Sequence, residues 1–339
     1  MQESLFGDDD SAPEKRSNVA PAAHHQELIE LSATLPEKVR LGTSSWHYPG
    51  WNGLVWQGEY AESVLSRQGL TAYCQHPLFR TVSIDRGFYR PLTVSQYADY
   101  AAQVNEDFRF VVKAPSVVTD ALVRNESGKG MRTNPQFLNA EEALQLFVEP
   151  ALEGLGHKLG ALVFQISPLP MKLLNQMAHT IDRLYGLLAA IPKLQKYAPD
   201  GVVAVEVRDP QWLMPQFIDA LRATGTTYCM GLHAKMPRIA DQLPILRALW
   251  PGPLVCRWNL NPLLGAYGYE DARDLYSPFD KIMDPDMETR AALAKVISGT
   301  ANGGQNVYVT VSNKAEGSAP LSVIELARMV VGANDNNGT

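Results

Sequence analysis

The sequence has few cysteines and no long apolar run. Only three of its 339 residues are cysteine, namely Cys74, Cys229 and Cys256. Their spacing forms neither a CxxC zinc pattern nor a disulfide framework, and each lies among apolar neighbours, which predicts buried thiols. No stretch approaches the roughly 18 apolar residues that span a bilayer, and no secretory signal pattern opens the chain. The sequence therefore predicts a cytoplasmic protein without membrane association.

The chain also has no excess of basic residues. Its formal net charge is −6, and residues 1–38 alone contain eight acids and three bases. The remainder therefore holds 28 acids and 27 bases and is almost neutral. It has no basic stripe of the kind that strong, autonomous nucleic-acid binding needs. With 45% hydrophobic and 19% charged residues, the composition is that of a globular protein and excludes a largely disordered chain or a fibre.

The two ends of the chain differ from the rest. The first two dozen residues are polar, acidic and interrupted by Pro, Ala and Ser, with no sustained periodicity, which is typical of a disordered segment. We expect residues 1–38 to form a disordered acidic tail and lead-in, and residues 333–339 to form a frayed C-terminus. One folded domain is then expected over residues 39–332.

Short β-rich runs alternate with helical segments between these ends. This alternation predicts an α/β fold, a single (β/α)8 TIM-type barrel. A doubly wound sheet is the alternative, but GTSSWHYPG after the first strand is not the phosphate-binding turn GxGxxG. Two long connections, 115–140 and 261–284, follow the third and seventh strands, at the end where barrel loops carry function. Strands are predicted within 39–46, 81–89, 108–115, 159–168, 202–210, 226–234, 253–260 and 306–313, and helices within 95–104, 141–155, 173–191, 215–224, 288–298 and 321–331.

Side-chain alternation along each strand predicts which groups face the barrel interior. In the strand VVAVEVR, Val203 and Val205 belong to a β-branched row suited to packing beneath helices, so Glu206 and Arg208 face inward. Such polar groups are costly to bury unless they satisfy one another or a ligand. A ligand site is the expectation, and an ion network of Glu206 with Lys113 and Arg208 is the alternative. By the same parity the interior receives Ser44, Trp46, Ser83, Asp85, Val111, Lys113, Val163, Gln165, Gly231, His233, Val255 and Arg257.

Several segments resemble one known family. They are LGTSSWHYPGW (41–51), TVSIDRGFYRP (81–91), FRFVVKAP (108–115), LGALVFQISP (159–168), VAVEVRDPQW (203–212) and VYVTVSNKAEGSAP (307–320), and together they resemble the DUF72 or YecE-like family. The resemblance extends over roughly residues 39–331. It implies a TIM barrel, loosely grouped with sugar-isomerase-like barrels, and no established activity. An Asn-Asn pair of that family corresponds here to Ser312 and Asn313.

The inward ring suggests an enzyme of isomerase or hydrolase type that binds a small anionic or polyhydroxylated ligand, such as a sugar phosphate or nucleotide-like molecule. Glu206 is the candidate base, with Asp85 and His233 as partners. Guanidinium and ammonium groups bind phosphate or carboxylate, and aromatic side chains stack on a ring. The candidate ligand-binding residues are Lys113, Arg208, Arg257, Arg90, Trp46, Tyr48, Tyr89, Gln165 and Asn313.

A divalent metal is an alternative occupant of the same ring. Asp85, Glu206 and His233 are all metal-capable and face inward by parity. Their cationic neighbours would repel a metal ion, and no HxxE or DxH spacing supports the assignment. The sequence therefore leaves the cofactor unknown.

The extreme N-terminus offers a different function. Gln2, Ser4, Leu5 and Phe6 fit the Gln-x-Ser/Asp-Leu-Phe pentapeptide by which many bacterial replication and repair proteins dock on the sliding clamp. Two apolar anchors on a flexible acidic tail have the physical form of a tether that orders on binding. The alternative function is thus a DNA-repair-associated barrel tethered to the clamp.

If this tether exists, Leu5 and Phe6 supply most of its affinity, at roughly 1.5–3 kcal/mol for each buried side chain. Ordering the tail offsets part of that gain, so we expect binding in the micromolar range. Deleting residues 1–25, or combining Leu5→Ala with Phe6→Ala, should abolish clamp binding and leave the barrel folded. Titration of purified clamp against the three proteins measures this, and no binding by the full-length chain at about 100 micromolar clamp removes the tether.

Overall fold

The computed structural model describes residues 19–125, 128–265 and 268–335. Eight strands of this described part close into a parallel barrel, which confirms the predicted fold, and every predicted strand corresponds to one of them. The strands are β1 (Val39–Thr43), β2 (Phe79–Ile84), β3 (Arg109–Lys113), β4 (Leu122–Arg124), β5 (Gly130–Thr133), β6 (Leu159–Gln165), β7 (Val202–Glu206), β8 (Thr227–Leu232), β9 (Leu254–Trp258) and β10 (Val307–Val311). The barrel order is β1-β10-β9-β8-β7-β6-β3-β2, and β4 pairs with β5 as a separate antiparallel hairpin.

Helices surround the barrel, and some begin at residues whose side chains cap the first turn. One starts after Thr93, whose side chain accepts from the Gln96 amide while Gln96 accepts from the Thr93 amide, a reciprocal cap. The helices are α1 (Gln26–Thr34), α2 (Glu62–Gln68), α3 (Leu70–Tyr73), α4 (Val94–Ala101), α5 (Ser116–Thr119), α6 (Ala140–Ala143), α7 (Glu149–Leu155), α8 (Met171–Leu174), α9 (Met177–Ala190), α10 (Pro215–Thr224), α11 (Ile239–Ala248), α12 (Tyr269–Tyr276), α13 (Met287–Asn302), α14 (Asn313–Glu316) and α15 (Ala319–Asp335). In the described ranges no helix has the length and apolar character to traverse a bilayer.

The core has two layers, and their separation follows strand parity. Val205 is buried in the layer between strands and helices, whereas the neighbouring Ala204 belongs to the barrel interior. The inward parity of β7 is therefore confirmed. All three cysteines are unpaired, and Cys229 and Cys256 are buried as expected, whereas Cys74 is partly exposed. The interior cluster consists of Val111, Ala161, Val163, Ala204, Cys229, Val255 and Tyr308.

A polar network closes the end of the barrel where the strands begin. Asp200, just before β7, forms ion pairs with Arg40 of β1 at 3.1 Å and Arg109 of β3 at 3.0 Å. The Tyr308 hydroxyl on β10 donates to the Asp200 carbonyl at 2.9 Å. These contacts join four segments at the amino-terminal face, where conserved function is rare in barrels and stability dominates. The opposite face, at the carboxyl ends of the strands, is the one at which barrels carry ligand chemistry.

The lead-in and the C-terminus differ from their expected disorder where the structure describes them. Val19 and Ala22 are buried, and the Ala22 amide donates to the Val55 carbonyl at 2.9 Å. Residues 26–34 form α1, which contacts α15. The helix is ordered because a few apolar side chains in this polar stretch pack against the core. Helix α15 continues to Asp335, past the expected boundary at 332. Residues 1–18, including Gln2, Ser4, Leu5 and Phe6, and residues 336–339 lie outside the described residues.

The two long connections contain secondary structure. The segment after β3 contains α5 and the β4–β5 hairpin, and the segment after β9 contains α12. Both leave the carboxyl ends of their strands, as the sequence predicted, and α12 contributes Tyr269 to the cavity described below.

Gly42 in β1 has no room for a side chain. A Cβ there would lie 1.8 Å from the Thr81 carbonyl oxygen of β2, so the two strands would have to separate. We expect Gly42→Ala to lower the free energy of unfolding by about 1–3 kcal/mol or more, as overpacking does. Urea denaturation measures this. Gly186→Ala on exposed α9, with no atom within 4 Å of the added methyl, is the control and should be neutral or stabilising. Equal losses in both variants would contradict the packing argument.

Candidate functional site

The carboxyl ends of the barrel strands surround a cavity of about 620 Å³, here called the mouth pocket. Nine of the twelve candidate catalytic and ligand-binding residues line it, so the inward ring does converge on one cavity. Those nine residues are Trp46, Tyr48, Asp85, Tyr89, Lys113, Gln165, Arg208, His233 and Arg257.

Glu206 lies beneath the floor of the mouth pocket and is fully buried. Its Oε2 accepts from Arg257 Nη1 at 2.8 Å, and its Oε1 accepts from Asn259 Nδ2 at 3.1 Å. Arg208 Nη1 lies 2.5 Å from the same Oε1 as an ion pair. Burial favours a high pKa for this carboxyl, but the charges of Arg208 and Arg257 outweigh it and hold the pKa at about 2. Glu206 is therefore an ionised anchor for two guanidinium groups.

Arg257 connects the anchor to the pocket. Besides Glu206, it donates through Nη2 to Asp85 and through Nη1 to Gln165 Oε1, the latter at 3.1 Å. Burial disfavours the charged form, yet Asp85 and Glu206 raise the pKa of Arg257 above its ordinary value. Because three groups from different segments of the barrel meet on this guanidinium, the floor of the pocket is rigidly defined.

Asp85 and Gln165 complete the floor. Asp85 Oδ1 accepts from the Ser83 hydroxyl at 2.5 Å, and Gln165 Oε1 also accepts from Arg208 Nη2 at 3.0 Å. A glycine, Gly231, faces the network from β8. A Cβ at Gly231 would lie 2.9 Å from Glu206 Oε1 and 3.1 Å from Arg208 Nη1, so its absence leaves space for the ion pair.

Lys113 faces the mouth pocket without a carboxylate partner among the described residues. Its Nζ lies 3.7 Å from the centroid of the Phe88 ring. Burial is the main cause that lowers the pKa of Lys113 to about 8; the charges of Arg257 and Arg208 act in the same direction, and the charge of Asp85 opposes them. Lys113 is therefore mostly protonated and positively charged at neutral pH, but its pKa is close enough to neutrality for the side chain to release its proton.

His233 is neutral at physiological pH. Burial, followed by the charge of Arg208, lowers its pKa to about 4. Nδ1 accepts from the Lys235 amide at 3.1 Å, which assigns the proton of the neutral ring to Nε2. The ring lies 5.4 Å from the Tyr269 ring, centroid to centroid. His233 thus offers an N–H donor and not a positive charge.

Aromatic side chains form the walls. Trp46 packs edge-to-face on Tyr100 at 5.3 Å, and His47 stacks on Tyr48 at 5.5 Å. Tyr89 is 87% exposed at the rim, which makes it available to a ligand and not to the core. These rings suit stacking on a planar or sugar ring.

Two candidate residues lie away from the pocket. Arg90 is exposed and does not line it. Asn313 is buried and does not line it; its Oδ1 accepts from Trp51 Nε1 at 3.2 Å and from the Ala319 amide at 2.8 Å. Asn313 therefore fixes the start of α15. Both residues follow a barrel strand along the chain, but neither side chain lines the cavity.

Sequence reasoning missed several lining residues. Asn259 follows Arg257 by two positions, so continued parity could have found it. Tyr269 and Lys314 come from α12 and α14, where strand alternation does not apply. Other lining residues beyond the candidates are Ser44, Ser45, His47, Ser66, Ser83, Arg86, Phe88, Tyr100, Pro168, Lys235 and Ser312.

The donor set does not fit a metal ion. All four carboxylate oxygens of Asp85 and Glu206 already face Arg257, Arg208, Asn259 or Ser83. Cations at these distances compete with a metal for the same lone pairs. Across the described parts of the chain, no cluster of three or more His, Cys, Asp or Glu side chains could hold a metal ion.

Comparison with known proteins supports the same fold. A family described as "Protein of unknown function DUF72" matches residues 40–337. A DUF72 family protein from Thermotoga maritima superimposes with a TM-score of 0.56 at 19% identity, covering 86% of this chain and 98% of its own. One from Enterococcus faecalis gives a TM-score of 0.56 at 17% identity, covering 86% and 95%. No curated protein has significant similarity to this chain.

Removing the charge of Glu206 should destabilise the barrel. Glu206→Gln leaves Arg208 and Arg257 buried without their shared counter-ion, and we expect a loss of about 3–5 kcal/mol in the free energy of unfolding. The pKa is depressed in the folded state, so the wild-type advantage is complete above the ordinary carboxyl pKa of 4.5 and disappears as the pH falls through about 2.

Glu288→Gln is the matched control for urea denaturation at pH 7. Glu288 pairs with Arg238 at 3.0 Å, but both side chains are exposed, so solvent screens the pair and little stability should be lost. A similar small loss for Glu206→Gln would contradict an anchoring role.

Proposed function

The chain belongs to the DUF72 family, and we propose that it binds a small organic anion in the mouth pocket and acts on it by proton transfer. The ligand class is a phosphorylated or carboxylated molecule that carries a ring or several hydroxyl groups.

The charge of the pocket lining carries this proposal. Six basic side chains and one carboxylate, Asp85, line the mouth pocket, in a chain of net charge −6. Glu206 and Asp85 balance Arg208 and Arg257, which leaves a surplus of positive charge. Within the described residues, no carboxylate lies within ion-pair distance of Lys113 or Lys314. Such a concave cationic surface recognises an anion. The basic lining residues are Arg86, Lys113, Arg208, Lys235, Arg257 and Lys314.

The volume of the mouth pocket and its uncharged lining residues fit a ligand that carries a ring or hydroxyl groups besides its anionic group. The volume of about 620 Å³ lies within the range of small-molecule sites, roughly 300–1,000 Å³. Trp46, Tyr48 and Tyr89 offer ring faces, and Ser44 and Ser312 offer hydroxyl groups that hydrogen-bond polyols. A sugar phosphate or a nucleotide-like molecule combines all of these features.

In this proposal Glu206 is a positioning residue and not the general base that the sequence predicted. A carboxylate with a pKa of about 2, buried under the floor and held by Arg208 and Arg257, is a poor proton acceptor. Lys113, with a pKa of about 8, can take up or release a proton near neutral pH. Neutral His233 can donate a hydrogen bond from Nε2 to a developing oxyanion. Lys113 and His233 therefore replace Glu206 as the groups expected to touch the reacting atoms.

Anion binding should depend on Lys113 and decline at alkaline pH. A charged hydrogen bond contributes about 1.5–3 kcal/mol, so Lys113→Met should weaken sulfate binding by about tenfold or more. The ammonium is present below its pKa, so the wild-type affinity should fall as the pH rises through about 8. Sulfate is the probe because its own charge is constant over this range. Calorimetric titration between pH 6 and 9.5 measures both effects.

Two variants make this test specific. Lys113→Arg keeps a charge above pH 9 and should remove the alkaline decline. Lys193→Met, on an exposed lysine just before β7 at the other end of the barrel, should bind sulfate as the wild type does. If Lys113→Met and Lys193→Met bind sulfate equally well, the mouth pocket is not the anion site.

A further inference from the structure

A second cavity adjoins the mouth pocket on the outer side of β8. This side cleft has a volume of about 450 Å³ and is lined by the β8–α11 loop, the end of β9 and the start of α13. Buried apolar side chains, among them Met236, Trp258 and Leu260, form part of its wall, and the charged side chains that line it are Arg238, Asp241, Asp286 and Glu288. The side cleft thus places a partly apolar surface, with charged groups along it, next to a cationic pocket.

A third cavity continues along the barrel wall. This groove has a volume of about 670 Å³ and lies between α11 and α13, reaching the first residues of β8 and β9. Its lining is mostly apolar and includes Leu243, Leu246 and Trp250, of which Trp250 is 51% exposed. Arg247 and Lys295 are its only charged lining residues within the described chain.

Shared residues join the three cavities in sequence. His233 lines both the mouth pocket and the side cleft. Ile239, Ala240 and Ala292 line both the side cleft and the groove. Ala240 on α11 and Ala292 on α13 carry small side chains at the junction between the side cleft and the groove. The surface that these shared residues connect, from the cationic site down the outside of the barrel, is largely apolar and is here called the apolar path.

We infer that the ligand is an amphiphile, with its anionic end in the mouth pocket and a flexible hydrocarbon chain in the side cleft and groove. This rests on the proposed function, whose anion site it extends. A chain that passes His233 would place the atoms linking head and tail beside the Nε2 donor. The continuity of the apolar path with the basic pocket favours a single bipartite ligand over a protein helix, which would cover the groove without entering the pocket.

Affinity should then increase with chain length in a series of soluble alkyl phosphates. Each methylene that leaves water contributes about fourfold, which corresponds to ~0.8 kcal/mol converted at 1.4 kcal/mol per factor of ten. We expect octyl phosphate to bind at least tenfold more tightly than butyl phosphate, and butyl phosphate more tightly than methyl phosphate. Titration calorimetry below the micelle concentration of octyl phosphate measures the series.

Two substitutions place a bulky side chain at the junction between the side cleft and the groove. Ala240→Phe, at an exposed position, and Ala292→Phe, at a half-buried one, should each reduce octyl phosphate binding about tenfold or more and leave methyl phosphate binding unchanged. Ala189→Phe, at an exposed position of α9 that lines none of the three cavities, is the matched control and should bind the whole series as the wild type does. Ala240→Phe keeps the test decisive if Ala292→Phe does not fold.

The outcomes separate this inference from the proposed function. If methyl phosphate binds but chain length has no effect, or if Ala240→Phe binds octyl phosphate normally, the amphiphile is wrong and the anion site stands. If Lys113→Met leaves octyl phosphate binding intact, the chain binds without its head group and the bipartite ligand is overturned. If methyl phosphate does not bind at all, the proposed function itself fails.

Discussion

The guanidinium of Arg257 determines the organisation of the barrel mouth. Placing two carboxylates close together, one of them fully buried, is unfavourable unless a cation lies between them, and Arg257 contacts both Glu206 and Asp85. It thereby joins β9 to β7 and to the end of β2, which are not adjacent in the barrel, and it also donates to Gln165 of β6. Once these acids are neutralised internally, the charge that faces the cavity comes from bases. The cationic character of the site follows from this internal neutralisation.

Strand alternation predicted much of this arrangement because it is a geometric rule. A closed parallel barrel has an apolar outer side under the helices, so a β-branched row such as Val203 and Val205 identifies the outward face. The opposite row must then point inward, as Ala204 and Glu206 do. The same rule placed Lys113 of β3 and Arg257 of β9 in one inward ring, on opposite sides of the barrel.

Strand parity predicts whether a side chain points into the barrel, but it predicts neither how deeply that side chain is buried nor which groups it contacts. Glu206 points inward, yet the register that aligns it with Gln165 and aligns Gly231 with Arg257 lets two arginines cover it from above. That coverage depends on the missing side chain at Gly231, a packing fact that only three dimensions reveal. Residues supplied by connections, such as Tyr269 and Lys314, obey no periodicity. The sequence could therefore indicate a polar mouth, but not which of its acids remain accessible to a ligand.

The bonds made by Arg257 also constrain how the barrel can fold. Its partners Glu206 and Asp85 are separated from it by 51 and 172 residues along the chain. A growing polypeptide that has not yet delivered β9 holds two inward carboxylates with no guanidinium between them, and it also lacks β10, which closes the ring. Long-range contacts of this kind give a high contact order and slow, cooperative folding. The mouth of the barrel is therefore completed only when the last quarter of the chain is in place.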